Sequence, residues 1–317
     1  METSDGSLQI DFILLGFSDR PQLEPINFHL LYGVVFICFM VTLVGNSTII
    51  IVSYLDPQLH TPMYFFLSNL SLLKLGYTNS IIPQMLANLW GPNKAITYVG
   101  CFLQFFFALV FAATETLLLT VMAYDRYAAV CQPLHYTVIM HPRLCQKMGL
   151  ICWLGGLRSA ITVCSGVFTL PRCGQQELDS FICETPALMK LACAHTREIQ
   201  IAIFVFGFVF LLPPISLIFI SYRVTTQAVM RMHSAATWRK ILTTCGSHLT
   251  VVVLFFVPAI YTYMTPQNTT SQEEGKFFTL FYTIITPSHN PLIHTLRNKD
   301  VETAIKKILL IKTSVKL

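Results

Sequence analysis

Charged side chains are scarce in this chain. Asp, Glu, Lys and Arg make up 12% of its 317 residues, against 54% hydrophobic, and a soluble domain carries about twice that charged fraction. A chain of this make-up cannot hide its apolar surface inside a water-soluble fold. The sequence also lacks an internal repeat, and it holds no His-Glu-x-x-His or comparable catalytic constellation, which argues against a membrane enzyme. Acidic residues outweigh basic ones at the start: the first 25 residues contain Glu2, Asp5, Asp11, Asp19 and Glu24 against Arg20 alone. Without the basic n-region of a cleavable signal, the first apolar run is expected to serve as its own uncleaved anchor. No cofactor, metal or nucleic-acid partner is expected.

What the chain does have is charge-poor runs, at about 26–54, 62–89, 97–123, 144–165, 199–222, 241–264 and 277–296. Twenty-five helical residues rise roughly 37 Å, enough to cross a hydrocarbon core of about 30 Å. The expected fold is an all-α membrane protein, a seven-transmembrane helix bundle with a short amphipathic C-terminal helix. Residues 1–25 form an N-terminal segment, 26–296 the bundle and 297–317 a tail. The connections after spans one, three and five, together with the tail, carry most of the 21 Lys and Arg. That asymmetry predicts a cytoplasmic tail and an extracellular N-terminus. From Val301 to Ile311, apolar residues alternate with Glu302, Lys306 and Lys307, which predicts a helix lying on the lipid of the inner leaflet.

Polar residues inside the spans are costly and need partners. Lys74 falls at mid-depth of the second span and Glu115 at mid-depth of the third, so the two are expected to pair, with Asn46 and Asn290 as hydrogen-bond neighbours. Arg158, in the fourth span, is expected to reach outward or to bond within the bundle. Pro213-Pro214 should kink the fifth span. Of ten cysteines, Cys101, Cys173, Cys183 and Cys193 fall on the predicted outer side, where disulfides persist, and four cysteines allow three connectivities.

Several ordered strings carry a family resemblance. Asp125-Arg126-Tyr127 leads into Ala-Val-Cys-x-Pro-Leu-His-Tyr, ending at Tyr136. Leu59-His60-Thr61-Pro62-Met63-Tyr64-Phe65-Phe66-Leu67-Ser68-Asn69 opens the second span. Ser221-Tyr222 ends the fifth, Thr244-Cys245-Gly246-Ser247-His248-Leu249 opens the sixth, and Asn290-Pro291-Leu292-Ile293-His294 closes the seventh. From about Phe12 to Asn298 the chain resembles the rhodopsin-like G-protein-coupled receptors and, among them, the odorant receptors of the tetrapod class.

That resemblance implies a plasma-membrane receptor for a small volatile odorant, acting through a heterotrimeric stimulatory G protein that raises cyclic AMP. It implies the pairs Cys101–Cys183 and Cys173–Cys193. It also implies a switch in which Arg126, held by Asp125, keeps the inner face closed, Tyr222 supports the open state, and Asn290-Pro291 belong to the moving core. The sixth helix would swing about Pro258. The expected pocket lies between Leu109, Ala112 and Ala113 of the third span, Phe206 and Phe210 of the fifth, and Phe256, Ala259, Ile260 and Tyr263 of the sixth, whose spacing shares one helical face. Such a lining favours an apolar ligand, with Tyr263 and Thr283 as polar handles.

The chain also departs from the family pattern. An acid usually stands where Lys74 does, and two carboxylates are thought to share a sodium ion there. His294 replaces a tyrosine, and Phe256-Val257 replaces Tyr-Gly. Met1 to Phe28 has no Asn-x-Ser/Thr, which leaves Asn268 as the accessible glycosylation acceptor. An amine receptor would want an acid on the pocket face of the third span, where Ala108 and Leu109 stand, so amines are disfavoured. The remaining alternatives are a rhodopsin-like receptor for a non-odorant small molecule, a receptor whose signalling Lys74 and His294 impair, and a transporter. A transporter would show paired broken helices in its two halves, and none is seen.

Overall fold

Five apolar stretches become helices long enough to cross a bilayer unaided: residues 29–55, 98–131, 142–168, 201–230 and 245–262. In the computed structural model, residues 12–17, 25–91, 94–172, 174, 176–193, 197–231, 235–264, 272–296 and 301–307 are described. In chain order the helices are α1 (Pro25–Leu55), α2 (Pro62–Trp90), α3 (Tyr98–Cys131), a short α4 (Tyr136–Ile139), α5 (Pro142–Phe168), a short α6 (Thr185–Lys190), α7 (Arg197–Met230), α8 (Ala235–Met264), α9 (Gln272–Leu280) and α10 (Thr286–Leu296). A π-helical turn, Phe281–Ile285, joins α9 to α10. The more polar α2 and the run from α9 through α10 complete a bundle of seven long helices.

Several helices outrun the apolar stretches that predict them. The expected third span stops at 123, but α3 continues to Cys131, so Asp125-Arg126-Tyr127 lies within helix rather than at its end. Likewise α7 continues to Met230, and α8 begins at Ala235. Hydropathy marks where lipid stops, whereas backbone hydrogen bonds carry a helix on into water. Local chemistry sets the starts. Pro62 and Pro142 sit in first turns, where a missing N–H costs nothing, and Thr97 Oγ1 accepts from Gly100 N to cap α3.

Small residues fix how closely the helices approach. A Cβ on Gly156 of α5 would lie 2.0 Å from Thr114 Oγ1 and 2.8 Å from Val110 O of α3. A Cβ on Gly45 of α1 would lie 2.6 Å from Pro291 Cβ of α10. These contacts need glycine because van der Waals packing, not hydrophobicity, holds membrane helices together. Pro213 and Pro214 lie inside α7, and Pro258 lies inside α8. Arg158 is exposed on α5, the outward one of its two predicted positions.

One end of the bundle is closed by a small sheet of order β2-β1-β3, made of β1 (Phe12–Leu14), β2 (Ala95–Ile96) and β3 (Glu177–Leu178). Strand β1 pairs antiparallel with β2 and parallel with β3. Part of the expected N-terminal segment is therefore a strand, with Phe12 fully buried. The Arg172 guanidinium lies 5.0–5.2 Å from the ring centres of Tyr98, Phe168 and Phe12, a cation–π stack that ties strand, loop and helices.

At the opposite end, residues 301–307 are helical. Val301 and Ala304 are buried in the core cluster at that end and form the apolar face of the expected short amphipathic helix. Lys306 and Lys307 remain exposed.

Candidate functional site

Four helical segments and one loop converge on a small cavity of about 80 Å³. Helix α3 contributes Phe105, Ala108, Leu109, Ala112 and Glu115, a stripe at the i, i+3, i+4, i+7 spacing of one helical face. Lys74 and Tyr77 come from α2, Phe255 and Ala259 from α8, Tyr282 from the π turn, and Ile182, Cys183 and Glu184 from the loop before α6. The Cys101–Cys183 disulfide anchors that loop to the start of α3. Gln104 strengthens the anchor by accepting from Cys183 N at 2.9 Å.

Two ionic arrangements mark the cavity. Lys74 Nζ lies 2.7 Å from Glu115 Oε2 and 2.5 Å from Oε1, and both residues are buried, at 2% and 5% exposure. The ammonium also lies 5.6 Å from the Phe255 ring centre. Asn46 donates instead to Thr42 O of its own helix. The Asn290 Oδ1 has no hydrogen-bond partner among the described residues. Among the described residues neither asparagine bonds the ion pair.

The second carboxylate, Glu184, is 9% exposed. It accepts from Ser180 Oγ at 2.6 Å, from Tyr282 OH at 2.7 Å, and from Thr279 Oγ1 at 3.1 and 3.2 Å. Burial pushes its carboxyl above the ordinary range, and the three hydroxyls oppose that shift. Five residues earlier, Asp179 meets Lys276 of α9 at 2.5 Å, so two acids bind this loop to the seventh segment.

The expected pocket overlaps the cavity only in part. Leu109, Ala112 and Ala259 line it. Ala113 is buried beside them but does not line it. On α8 the lining residues are Phe255 and Ala259, so the predicted face is rotated. Phe256 is buried in the core and Ile260 is exposed. The Tyr263 side chain lies outside the described residues. Phe206 and Phe210 stack on each other at 5.9 Å along α7, away from the lining. Thr283 is fully buried, and its neighbour Tyr282 supplies the hydroxyl. A π turn holds more residues per turn than an α-helix, so a 3.6-residue count along the seventh span loses its phase there.

Glu184 and Tyr282 were missed. The signal for Glu184 was a carboxylate directly after a cysteine that the third helix could hold by a disulfide.

At the far end of α3, Arg126 donates through Nε to Asp125 Oδ2 at 3.1 Å and through Nη2 to the same oxygen. Tyr136 OH donates to Asp125 Oδ1 at 2.8 Å. Burial and the Asp125 charge push the Tyr136 hydroxyl pKa up. Tyr222 OH lies 2.5 Å from His248 Nδ1, linking α7 to α8, and Ser221 Oγ donates to Ala123 O of α3 at 2.7 Å. Asn290 is buried, and Pro291 faces Gly45. Cys193 is disulfide-bonded. Cys173 and Asn268 lie outside the described residues, as does the His294 side chain.

Comparison with known proteins gives one consistent result. The family description "Olfactory receptor" matches residues 35–312. Human olfactory receptor 2W1 is 52% identical over 309 residues, covering 98% of this chain and 95% of that protein. Human olfactory receptor 2G3 is also 52% identical, with 98% and 99% covered, and mouse olfactory receptor 2C1 is 49% identical, with 98% of each covered. Among solved structures, squid rhodopsin shares the fold with a TM-score of 0.66 at 18% identity, covering 91% of this chain and 87% of that one.

Proposed function

Because the chain belongs to the olfactory receptor family and is a multi-pass odorant receptor, we propose that the cavity between α2, α3, α8, the π turn and the Cys183 loop is where its odorant binds. In this reading the sheet end faces outward at the plasma membrane. The end bearing Asp125 and Arg126 faces the cytoplasm and couples to a heterotrimeric stimulatory G protein, raising cyclic AMP. Residues 1–25 are then extracellular, 26–296 form the bundle and 297–317 form the cytoplasmic tail beside the inner lipid. The pairing of Cys173 with Cys193 and the glycosylation of Asn268 belong to the same reading.

The observation that carries it is the course of α3. Its cavity stripe runs from Phe105 to Glu115, and Arg126 lies eleven residues further, about 16 Å along the same helix. Arg126 is held by Asp125 of its own helix, and Tyr136 ties Asp125 to the connection that follows α3. The Tyr222–His248 contact holds α7 against α8 at their adjoining ends. A ligand that moves α8, broken in its backbone bonding at Pro258, would loosen that contact.

Two substitutions test the two ends. Ala112→Phe fills the cavity and should abolish odorant-evoked cyclic AMP while surface expression persists; an unchanged dose-response curve would move the binding site elsewhere. Arg126→Ala should eliminate cyclic AMP while odorant still stabilises the receptor against heat, and full signalling by it would refute the coupling role.

A further inference from the structure

The charges lining the cavity do not balance. Its wall carries Lys74, Glu115 and Glu184, one ammonium against two carboxylates. Lys74 is spent on Glu115, with its Nζ in contact with both oxygens. Glu184 is bonded only by the neutral hydroxyls of Ser180, Tyr282 and Thr279, and no cationic side chain bonds it among the described residues. Lys190 is exposed and acts on it only through the longer-range field. The hydroxyls also do not saturate it. Thr279 has a single proton, and its Oγ1 lies within bonding distance of both carboxylate oxygens and of Gly275 O. Tyr282 donates to Oε2 at 2.7 Å. A buried carboxylate with no countercharge is costly, and a cation delivered to it in a low-dielectric slot is strongly held.

Building on the assignment of this cavity as the odorant site, we propose that the receptor recognises small aliphatic amines, with the protonated ammonium at Glu184 and the hydrocarbon tail along the α3 stripe. Glu184 follows the disulfide that fixes the loop to the start of α3, whereas Lys74 and Glu115 meet further along the helix. The stripe from Phe105 to Glu115 spans about 15 Å. The Lys74–Glu115 pair is neutral as a unit and offers a second cation no net charge, which leaves Glu184 to orient the ammonium toward the loop. Leu109 and Ala112 give the tail an apolar wall between the two charged ends. The acid that an amine receptor needs is therefore present, supplied by the loop rather than by the third span where the sequence argument looks for it. Aliphatic amines, with a pKa near that of lysine at about 10.4, are cationic at neutral pH.

The test is thermal stabilisation of the purified full chain at neutral pH. It uses straight-chain primary amines from butylamine to decylamine, each against the alcohol of equal length. At least one amine should stabilise the wild type at a concentration roughly tenfold or more below its alcohol. In Glu184→Gln, which keeps an acceptor for the hydroxyls, that amine should need roughly tenfold to hundredfold more while the alcohol is unchanged. If no amine outperforms its alcohol, or if the amine preference survives in Glu184→Gln, the proposal is wrong. The wild-type comparison decides even if the variant fails to fold. A parallel cyclic AMP assay separates the two readings. Alcohols that signal without an amine preference would leave the odorant site standing and remove the amine. Glu184-dependent amine binding without cyclic AMP would do the reverse to the coupling.

Discussion

Glu115, on α3, meets the Lys74 ammonium of α2, while Glu184, on the loop that closes the same cavity, meets only hydroxyl groups. The two acids are about equally buried, at 5% and 9% exposure. The difference lies in what supports them. Glu115 and Lys74 belong to two long helices whose mutual position is fixed by the bundle, so the countercharge can be built into the chain. Glu184 sits where the seventh segment and a disulfide-anchored loop meet. Its direct partners are polar but uncharged, which leaves that end of the cavity open to a countercharge from outside. One end is closed electrostatically and the other is not.

Breaking the closed end should have the larger effect. Lys74→Met leaves a carboxylate unpaired in a low-dielectric core and should lower stability by about 3–5 kcal/mol, read as thermal melting of the solubilised receptor. A loss under about 1 kcal/mol would show that the pair contributes little.

Glu184→Gln should cost about 1 kcal/mol, since the amide oxygen goes on accepting from the hydroxyls. Its pH dependence sharpens the contrast. Burial raises the folded-state pKa of Glu184 above the ordinary 4.5, so the folded protein holds that proton more tightly than the unfolded one. The advantage of wild type over Glu184→Gln is therefore greatest at low pH and shrinks as pH rises above 4.5. Melting of the two proteins across a pH series checks the sign, and a difference that grows with pH would contradict it.

The smallest expected effect is none at all. With an ammonium already between α2 and α3, exchanging sodium for a large organic cation at constant ionic strength should leave the wild-type melting curve unmoved.

The contrast between the two acids also explains what could be read from the sequence. Lys74 and Glu115 stand out because each is a lone charge in a long apolar helix, and depth along a helix can be counted at a fixed rise per residue. The seven long helices and the α3 stripe are legible for the same reason. Legibility fails where periodicity does. The π turn shifts Tyr282 into the position expected of Thr283, and the α8 face is turned so that Phe255 rather than Phe256 lines the cavity. Glu184, Asp179 and the β1 strand lie in segments with no period, placed by a disulfide, an ion pair and strand pairing across distant parts of the chain. Tyr136 reaches Asp125 from a connection between helices, where hydropathy says nothing about direction.

A double-mutant cycle on the closed end tests the central claim most directly. Melting would be compared for wild type, Lys74→Met, Glu115→Gln and the combined variant, all in the same detergent and salt. If Lys74 and Glu115 neutralise each other, Lys74→Met is the least stable of the four and the double variant recovers much of its loss, giving a coupling of about 0.5–3 kcal/mol or more. Losses that simply add, leaving the double variant no more stable than Lys74→Met, would contradict the account.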